Sequence, residues 1–189
     1  MQSSRTQLTA VLLAAGEGTR FAGPTHKLLA PLQGLPLYEH ALSALIKSGI
    51  ASIVVVTGAV SLPVPAGINV VHNPLWRTGQ RSSVLAALQA ARGSSAVIFG
   101  LADQPFITSE SWQAVASATG SLAMATYNGI RAHPVRLGFE LWDEFMTATT
   151  EPDEGLRSFV RQHSQIVQEV VCQGSLADID TLEDLKRWN

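Results

Sequence analysis

Between residues 16 and 27 stand three glycines (Gly16, Gly18, Gly23) and two cations (Arg20, Lys27), with little side-chain bulk around them. Glycines let backbone N–H groups come close to phosphate oxygens, and a cation at each end of the segment offsets the charge that a triphosphate brings. The chemistry this suits is the cradling of a phosphate chain. A second candidate is Asp103, an acid at the end of an apolar run and followed by Gln104-Pro105. An acid placed at a strand end can hold a divalent cation against phosphates bound by the loop, which makes Asp103 a candidate metal ligand.

Two common phosphate loops do not fit. Gly16-Glu17-Gly18 followed by Gly23 lacks the G-x-G-x-x-G spacing of dinucleotide sites, and Lys27, flanked by His26 and Leu28, is not in a Walker loop. The five histidines, His26, His40, His72, His133 and His163, show no metal-ligand spacing. Cys172 is the only cysteine, so no internal disulfide is possible; its strand-like surroundings mark it as a buried structural thiol.

The elements that must position these residues alternate regularly. Leu8 to Ala15 reads as an apolar strand of the kind buried on both faces of a parallel sheet. Pro36 to Ser48 reads as a helix stopped by Gly49, Ser52 to Gly58 as a strand and Ile68 to His72 as a third. Ser82 or Ser83 is expected to cap a helix running to Arg92, and Ala96 to Leu101 is a fourth buried strand. Thr108 caps a helix from Ser109, and Asn128-Gly129 joins strands 122–127 and 133–137 as a hairpin. Helices are expected over 139–148, 155–163 and 181–188, with a strand over 166–171. Trp112, Trp142 and Trp188 fall on helices as core anchors, Trp76 on a turn-rich loop. Glu151, Asp153 and Glu154 read as a solvated turn, with Arg157 pairing with them or reaching a phosphate. The order predicts one α/β domain over 1–189, a three-layer doubly wound, mostly parallel sheet with an antiparallel hairpin insertion. Ligands then belong beyond the carboxyl ends of the strands, where the loop and Asp103 both lie.

Composition bounds the partners. With 189 residues, 46% hydrophobic and 15% charged, the chain can bury one real core. A net charge of -2 argues against nucleic acid held by bulk charge. No apolar segment reaches membrane-spanning length. Arg5 followed by Leu8 to Ala15 imitates a secretory signal, but cleavage there would discard the first strand, so the cytoplasm is the expected compartment.

The longer pattern is more specific than any single loop. Leu13-Ala14-Ala15-Gly16-x-Gly18-x-Arg20, then Lys27-Leu28-Leu29, then Gly34-x-Pro36-Leu37 opening a helix, resembles nucleotidyltransferases that activate sugar phosphates, polyol phosphates and molybdopterin. Asn73-Pro74-x-Trp76-x-x-Gly79 with Ser82-Ser83, Leu101-Ala102-Asp103-Gln104-Pro105, His133-Pro134-Val135 and Asp178-Ile179-Asp180-Thr181 follow in the order of the molybdenum cofactor cytidylyltransferase and guanylyltransferase group. The resemblance covers essentially the whole chain, and the opening Leu-Ala-Ala-Gly is similar to the cytidylyltransferase form.

The resemblance implies CTP as donor, magnesium as cofactor and molybdopterin as acceptor, with a molybdoenzyme as a further client. Carried over by position, Leu13, Ala14, Ala15, Gly16 and Gly18 would form the nucleotide loop, with Arg20 and Lys27 holding the triphosphate. Ser82 or Ser83 would lie near the base, Asp103 and Asp180 would take the metal, and His133, Asp178 and Asp180 would face the acceptor. Three features depart from the family: Arg81 beside the serine pair, Pro152 at a glycine position, and Pro24-Thr25-His26 before Lys27. Two other classes remain open: an NAD(P)H-dependent oxidoreductase such as the nicotine blue oxidoreductase of the same fold group, and a non-catalytic cofactor chaperone.

Overall fold

The protein is described by a computed structural model covering residues 7–148 and 152–189. Its centre is β1 (Leu8–Ala14), a continuous apolar run with six of its seven residues buried. Because strand side chains alternate, Ala10, Leu12 and Ala14 enter one core and Val11 and Leu13 the other. Helices therefore cover both faces. The first core takes α1 (Leu37–Lys47), α3 (Ser109–Ala116) and α6 (Leu182–Trp188) through Leu37, Leu45, Trp112 and Leu185. The second takes α2 (Gln80–Ala90), α4 (Trp142–Thr147) and α5 (Arg157–Gln162) through Val84, Phe145 and Phe159.

β1 pairs in parallel with β4 (Ser52–Thr57) on one side and β6 (Ala96–Leu101) on the other. β5 (Asn69–His72) lies outside β4. Beyond β6 come β8 (Ile130–Gly138), β7 (Leu122–Tyr127) and β9 (Val167–Val171), completing, among the described residues, a seven-stranded sheet in which only β8 runs against its neighbours. The three-layer, mostly parallel sheet with an antiparallel hairpin is the expected one. Asn128 (φ 52°) and Gly129 (φ 79°) supply the two left-handed residues that a tight hairpin turn needs. The chain leaves β1 toward β4 and later returns to β1's other side as β6, so the switch point lies between the carboxyl ends of β1 and β6.

Several expectations are corrected. Neither Ser82 nor Ser83 caps α2, which starts at Gln80 behind Gly79; the Ser82 hydroxyl instead bonds the carbonyls of Leu75 and Gly79, both at 2.9 Å. The helix expected over 139–148 begins as a 3-10 turn, Phe139–Leu141, before α4. The one expected from Gly155 starts at Arg157, because Gly155 is left-handed at φ 54°. A small hairpin of β2 (Pro31–Leu32) and β3 (Leu35–Pro36), turned by Gln33 and Gly34, had no sequence signature. Thr108 does cap α3, accepting from the Ser111 N–H. Glu151 lies outside the described residues; Glu154 pairs with Arg161 rather than Arg157.

Candidate active site

Beyond the switch point lies a cleft of about 480 Å³, within the range of small-molecule sites. The turn after β1, Leu13 to Gly18, forms one wall, with Lys27, Asp103 and Leu101 beneath it and Trp76, Gly79, Gln80 and Ser83 opposite. Strand register explains the meeting of loop and acid: Leu13 is paired with Leu101, and the N–H of Ala102 donates to the Leu13 carbonyl at 3.0 Å. The polypeptide turns at the same height on both strands.

Lys27 holds the centre. Its Nζ donates to Asp103 Oδ2 at 2.6 Å and to Asp180 Oδ1 at 2.9 Å, while Arg20 Nη2 lies 2.9 Å from Asp180 Oδ2. The lysine side chain is 10% exposed and that of Arg20 73%. Burial alone would push the Lys27 ammonium down, but the charges of Asp103 and Asp180 and their hydrogen bonds outweigh it, and its pKa is raised. The cation is thus fixed in its charged form. Gly18 makes this possible, for at φ 67° a Cβ would lie 2.9 Å from Lys27 Cγ.

His26, which departs from the family pattern, ties the loop to itself. Its Nδ1 accepts from the Leu28 N–H at 3.2 Å, which leaves Nε2–H to donate to the Gly16 carbonyl at 3.0 Å. Burial holds its pKa below the ordinary value; the Gly16 bond opposes this and Lys27 adds to it. Across the cleft, Asn73 Nδ2 donates to the hydroxyls of Ser82 (2.8 Å) and Ser83 (3.0 Å). Ser83 lines the cleft, whereas Ser82 lines a groove beside β5.

Asp103 and Asp180 each place one oxygen on the same ammonium, so a cation already stands between them. Hard carboxylate oxygens suit magnesium or manganese, and no group of three metal-binding side chains occurs among the described residues. The donor set fits a magnesium ion that takes two carboxylates from the protein and its other ligands from phosphate and water.

A second cavity, of about 190 Å³, adjoins the cleft and contains His133, Asp178, Gln104 and Arg157 among apolar Met124, Val135 and Leu176. Gln104 Nε2 donates to Asp178 Oδ1 at 2.6 Å, and the Ile179 N–H donates to the Asp103 carbonyl at 3.0 Å, so the 178–180 segment is pinned to the 103–104 turn. Burial raises the Asp178 carboxyl, the Gln104 bond opposing and Asp103 and Asp180 reinforcing that shift. Burial pushes His133 down to about 4, Asp103 opposing and Arg157 assisting, so it is neutral at pH 7.

The proposed residues therefore fall into two groups. Arg20, Lys27, Asp103 and Asp180 form one charged cluster at the cleft, and His133 and Asp178 stand apart in the second cavity. Trp76, left open by its loop position, lines the cleft with the Arg77 guanidinium 4.4 Å from its ring centre. Gly58 admits it: a Cβ there would lie 2.7 Å from Trp76 Cβ and 2.6 Å from the Ala15 carbonyl. Arg81 turns away from the cleft, donating to the carbonyls of Phe145 (2.6 Å) and Ala148 (3.0 Å) at the end of α4. Asp153, from the segment in which Pro152 stands at a glycine position of the family pattern, also lines the cleft, and so does Gln80, which belongs to no recognisable spacing.

The MobA-like NTP transferase domain matches residues 10–167. Nicotine blue oxidoreductase of Paenarthrobacter nicotinovorans is 32% identical over 95% of both chains. Molybdenum cofactor guanylyltransferase of Histophilus somni is 28% identical over 97% of this chain and 96% of its own. The fold is that of Rv0371c from Mycobacterium tuberculosis H37Rv, with a TM-score of 0.82 at 22% identity over 98% of both chains. In the manganese complex of that protein the TM-score is 0.77 at 21% identity, over 97% of this chain and 98% of that one. Among the described residues no helix is long and apolar enough to cross a membrane. By the match over residues 10–167, the chain is a member of the MobA-like NTP transferase family.

Proposed function

We propose that this protein transfers CMP from CTP to the terminal phosphate of molybdopterin, in the cytoplasm, and releases pyrophosphate. The observation that carries the reading is the Lys27–Asp103–Asp180 cluster set against a glycine turn at the switch point. An acceptor phosphate oxygen attacks the α-phosphorus in line; the new P–O bond forms as the bond from the α-phosphorus to the bridging oxygen breaks, and pyrophosphate leaves with that electron pair. Such a transfer asks the protein for placement and for charge stabilisation. Lys27 and Arg20 supply positive charge at the phosphates, and the turn at Gly16 and Gly18 leaves space for backbone approach. Asp103 and Asp180 would hold magnesium, which supplies Lewis-acid stabilisation of phosphoryl oxygens. His133, neutral at pH 7, and Asp178 would face the acceptor in the second cavity. The choice of CTP rests on Ala14-Ala15, which line the cleft beside the nucleotide turn.

A second reading has support of its own: the 32% identity to nicotine blue oxidoreductase suggests a cleft that takes NAD(P)H. Thermal melting with each nucleotide and magnesium separates the two, since a ligand bound only by the native state raises the melting temperature. Stabilisation by CTP, with pyrophosphate release in the presence of molybdopterin, is the expected result. Stabilisation by NADPH with no response to any triphosphate rejects transfer in favour of redox chemistry, and CTP binding without turnover indicates a cofactor carrier.

A further inference from the structure

Two residues line both the cleft and the second cavity: Leu101, which is apolar, and Gln80. Gln80 is the first residue of α2, and its partly buried side chain stands at the seam between the two spaces. Among the described residues its carboxamide makes no hydrogen bond, although polar side chains line both spaces. The seam is shaped to hold this side chain. Gly155 is left-handed, and a Cβ on it would overlap Gln80 Oε1 and sit 2.9 Å from its Cδ. Gly155 leads into Leu156 and Arg157, which line the second cavity, so the residue that makes room for Gln80 belongs to the segment bounding that cavity.

The charge around the seam is uneven. Lys27 is already engaged with Asp103 and Asp180, and Arg20 with Asp180. A phosphorylated acceptor entering from the second cavity must bring one anion against another, the α-phosphate. The Arg157 guanidinium lines the second cavity alone, and at the junction of the two spaces the polar side chain is the neutral amide of Gln80, hydrogen-bonded to none of the described residues. We propose that Gln80 is a positioning residue of the transfer, donating its Nε2–H to the acceptor phosphate and holding that group in line with the α-phosphorus. The inference rests on the nucleotidyl-transfer reading. An amide suits the task because it donates to the acceptor phosphate without adding a full charge beside the α-phosphate.

The test uses Gln80→Met, which keeps the length of the side chain and removes its donors, and Gln80→Glu, which puts a carboxylate at the seam. Two readouts are taken on each: the rise in melting temperature with CTP and magnesium, and kcat and KM for molybdopterin by pyrophosphate release. Q80M is expected to keep the CTP-induced rise and to lose about 10- to 100-fold in kcat/KM for the acceptor, the range for a hydrogen bond to a charged group. Q80E, whose carboxylate repels both phosphates, is expected to lose more in kcat/KM for the acceptor and to lower the CTP response as well. Wild-type kcat/KM in Q80M overturns the inference, as does a loss confined to the CTP response. Absence of pyrophosphate release by the wild type with every triphosphate overturns the functional reading and this inference with it, a result distinct from an active wild type matched by Q80M.

Discussion

Replacing Lys27 by methionine tests the centre of the site. The ammonium lies 2.6 Å from Asp103 and 2.9 Å from Asp180, and its side chain is 10% exposed, while the carboxylates are 22% and 19% exposed. Stripping one partner from a fully buried pair costs about 3–5 kcal/mol. Here water reaches both acids and Arg20 still neutralises Asp180, so the expected loss of stability is nearer ~2 kcal/mol. Turnover should fall about a hundredfold or more, as on removing one preorganised donor to developing charge. Metal binding should move the other way. In the wild type a divalent cation must displace the ammonium from between Asp103 Oδ2 and Asp180 Oδ1; in K27M that competition is gone. Calorimetric titration with Mn²⁺ in the absence of nucleotide should therefore show K27M binding at least ~10-fold tighter than wild type, about 1.4 kcal/mol. Asp103→Asn in the K27M background should abolish the gain. A folded K27M that binds Mn²⁺ no tighter, or that turns over at the wild-type rate, refutes the argument.

Two more perturbations follow from the same geometry. Gly18→Ala puts a Cβ 2.9 Å from Lys27 Cγ on a left-handed backbone; it should cost ~1–2 kcal/mol in urea unfolding and weaken CTP binding about tenfold or more, and an unchanged affinity would remove Gly18 from the site. His133 is held at about 4 against an ordinary 6.5, chiefly by burial, so the native state stays neutral while the unfolded chain takes up a proton. Stability should then fall as pH drops from about 6.5 toward about 4 and level off below, by on the order of 3 kcal/mol in total. His133→Gln should flatten that slope in urea melts at pH 7 and 4.5, and an identical acid sensitivity in the variant would contradict it.

The strands and the glycine turn follow from local chemistry. Leu8–Ala14 is apolar at every position but Thr9, which suits a strand covered on both faces, and Asn128-Gly129 can adopt the two left-handed conformations of a hairpin turn. Thr108 announces its helix because a cap is a bond between a side chain and a backbone two or three residues away, whereas Thr181, read as the first helical residue, is the cap of α6. Ser82 and Ser83 misled for the same reason: the pattern suited a cap, but Asn73, from the other side of a loop, bonds both hydroxyls. That competition is tertiary.

The site divides in the same way. Gly16, Gly18, Arg20 and Lys27 are close in sequence, and their suitability for phosphate was readable from residue type alone. Lys27 meets Asp103 and Asp180 across 76 and 153 residues, by way of the order in which strands join the sheet. His133 and Asp178, grouped with the acceptor by resemblance, lie in a separate cavity from the charged cluster because β8 runs antiparallel beside β6 and the 178–180 segment returns onto the 103–104 turn. Gln80 carries no motif, and its place at the seam exists only because Gly155 leaves it room. The sequence by itself determined the long strands and most helices, the Thr108 cap and the glycine turn, for these depend on conformational preferences within a few residues. Only the tertiary structure decided which charges meet and which spaces adjoin, since hydrogen bonds and ion pairs between distant residues depend on packing of the two cores around β1.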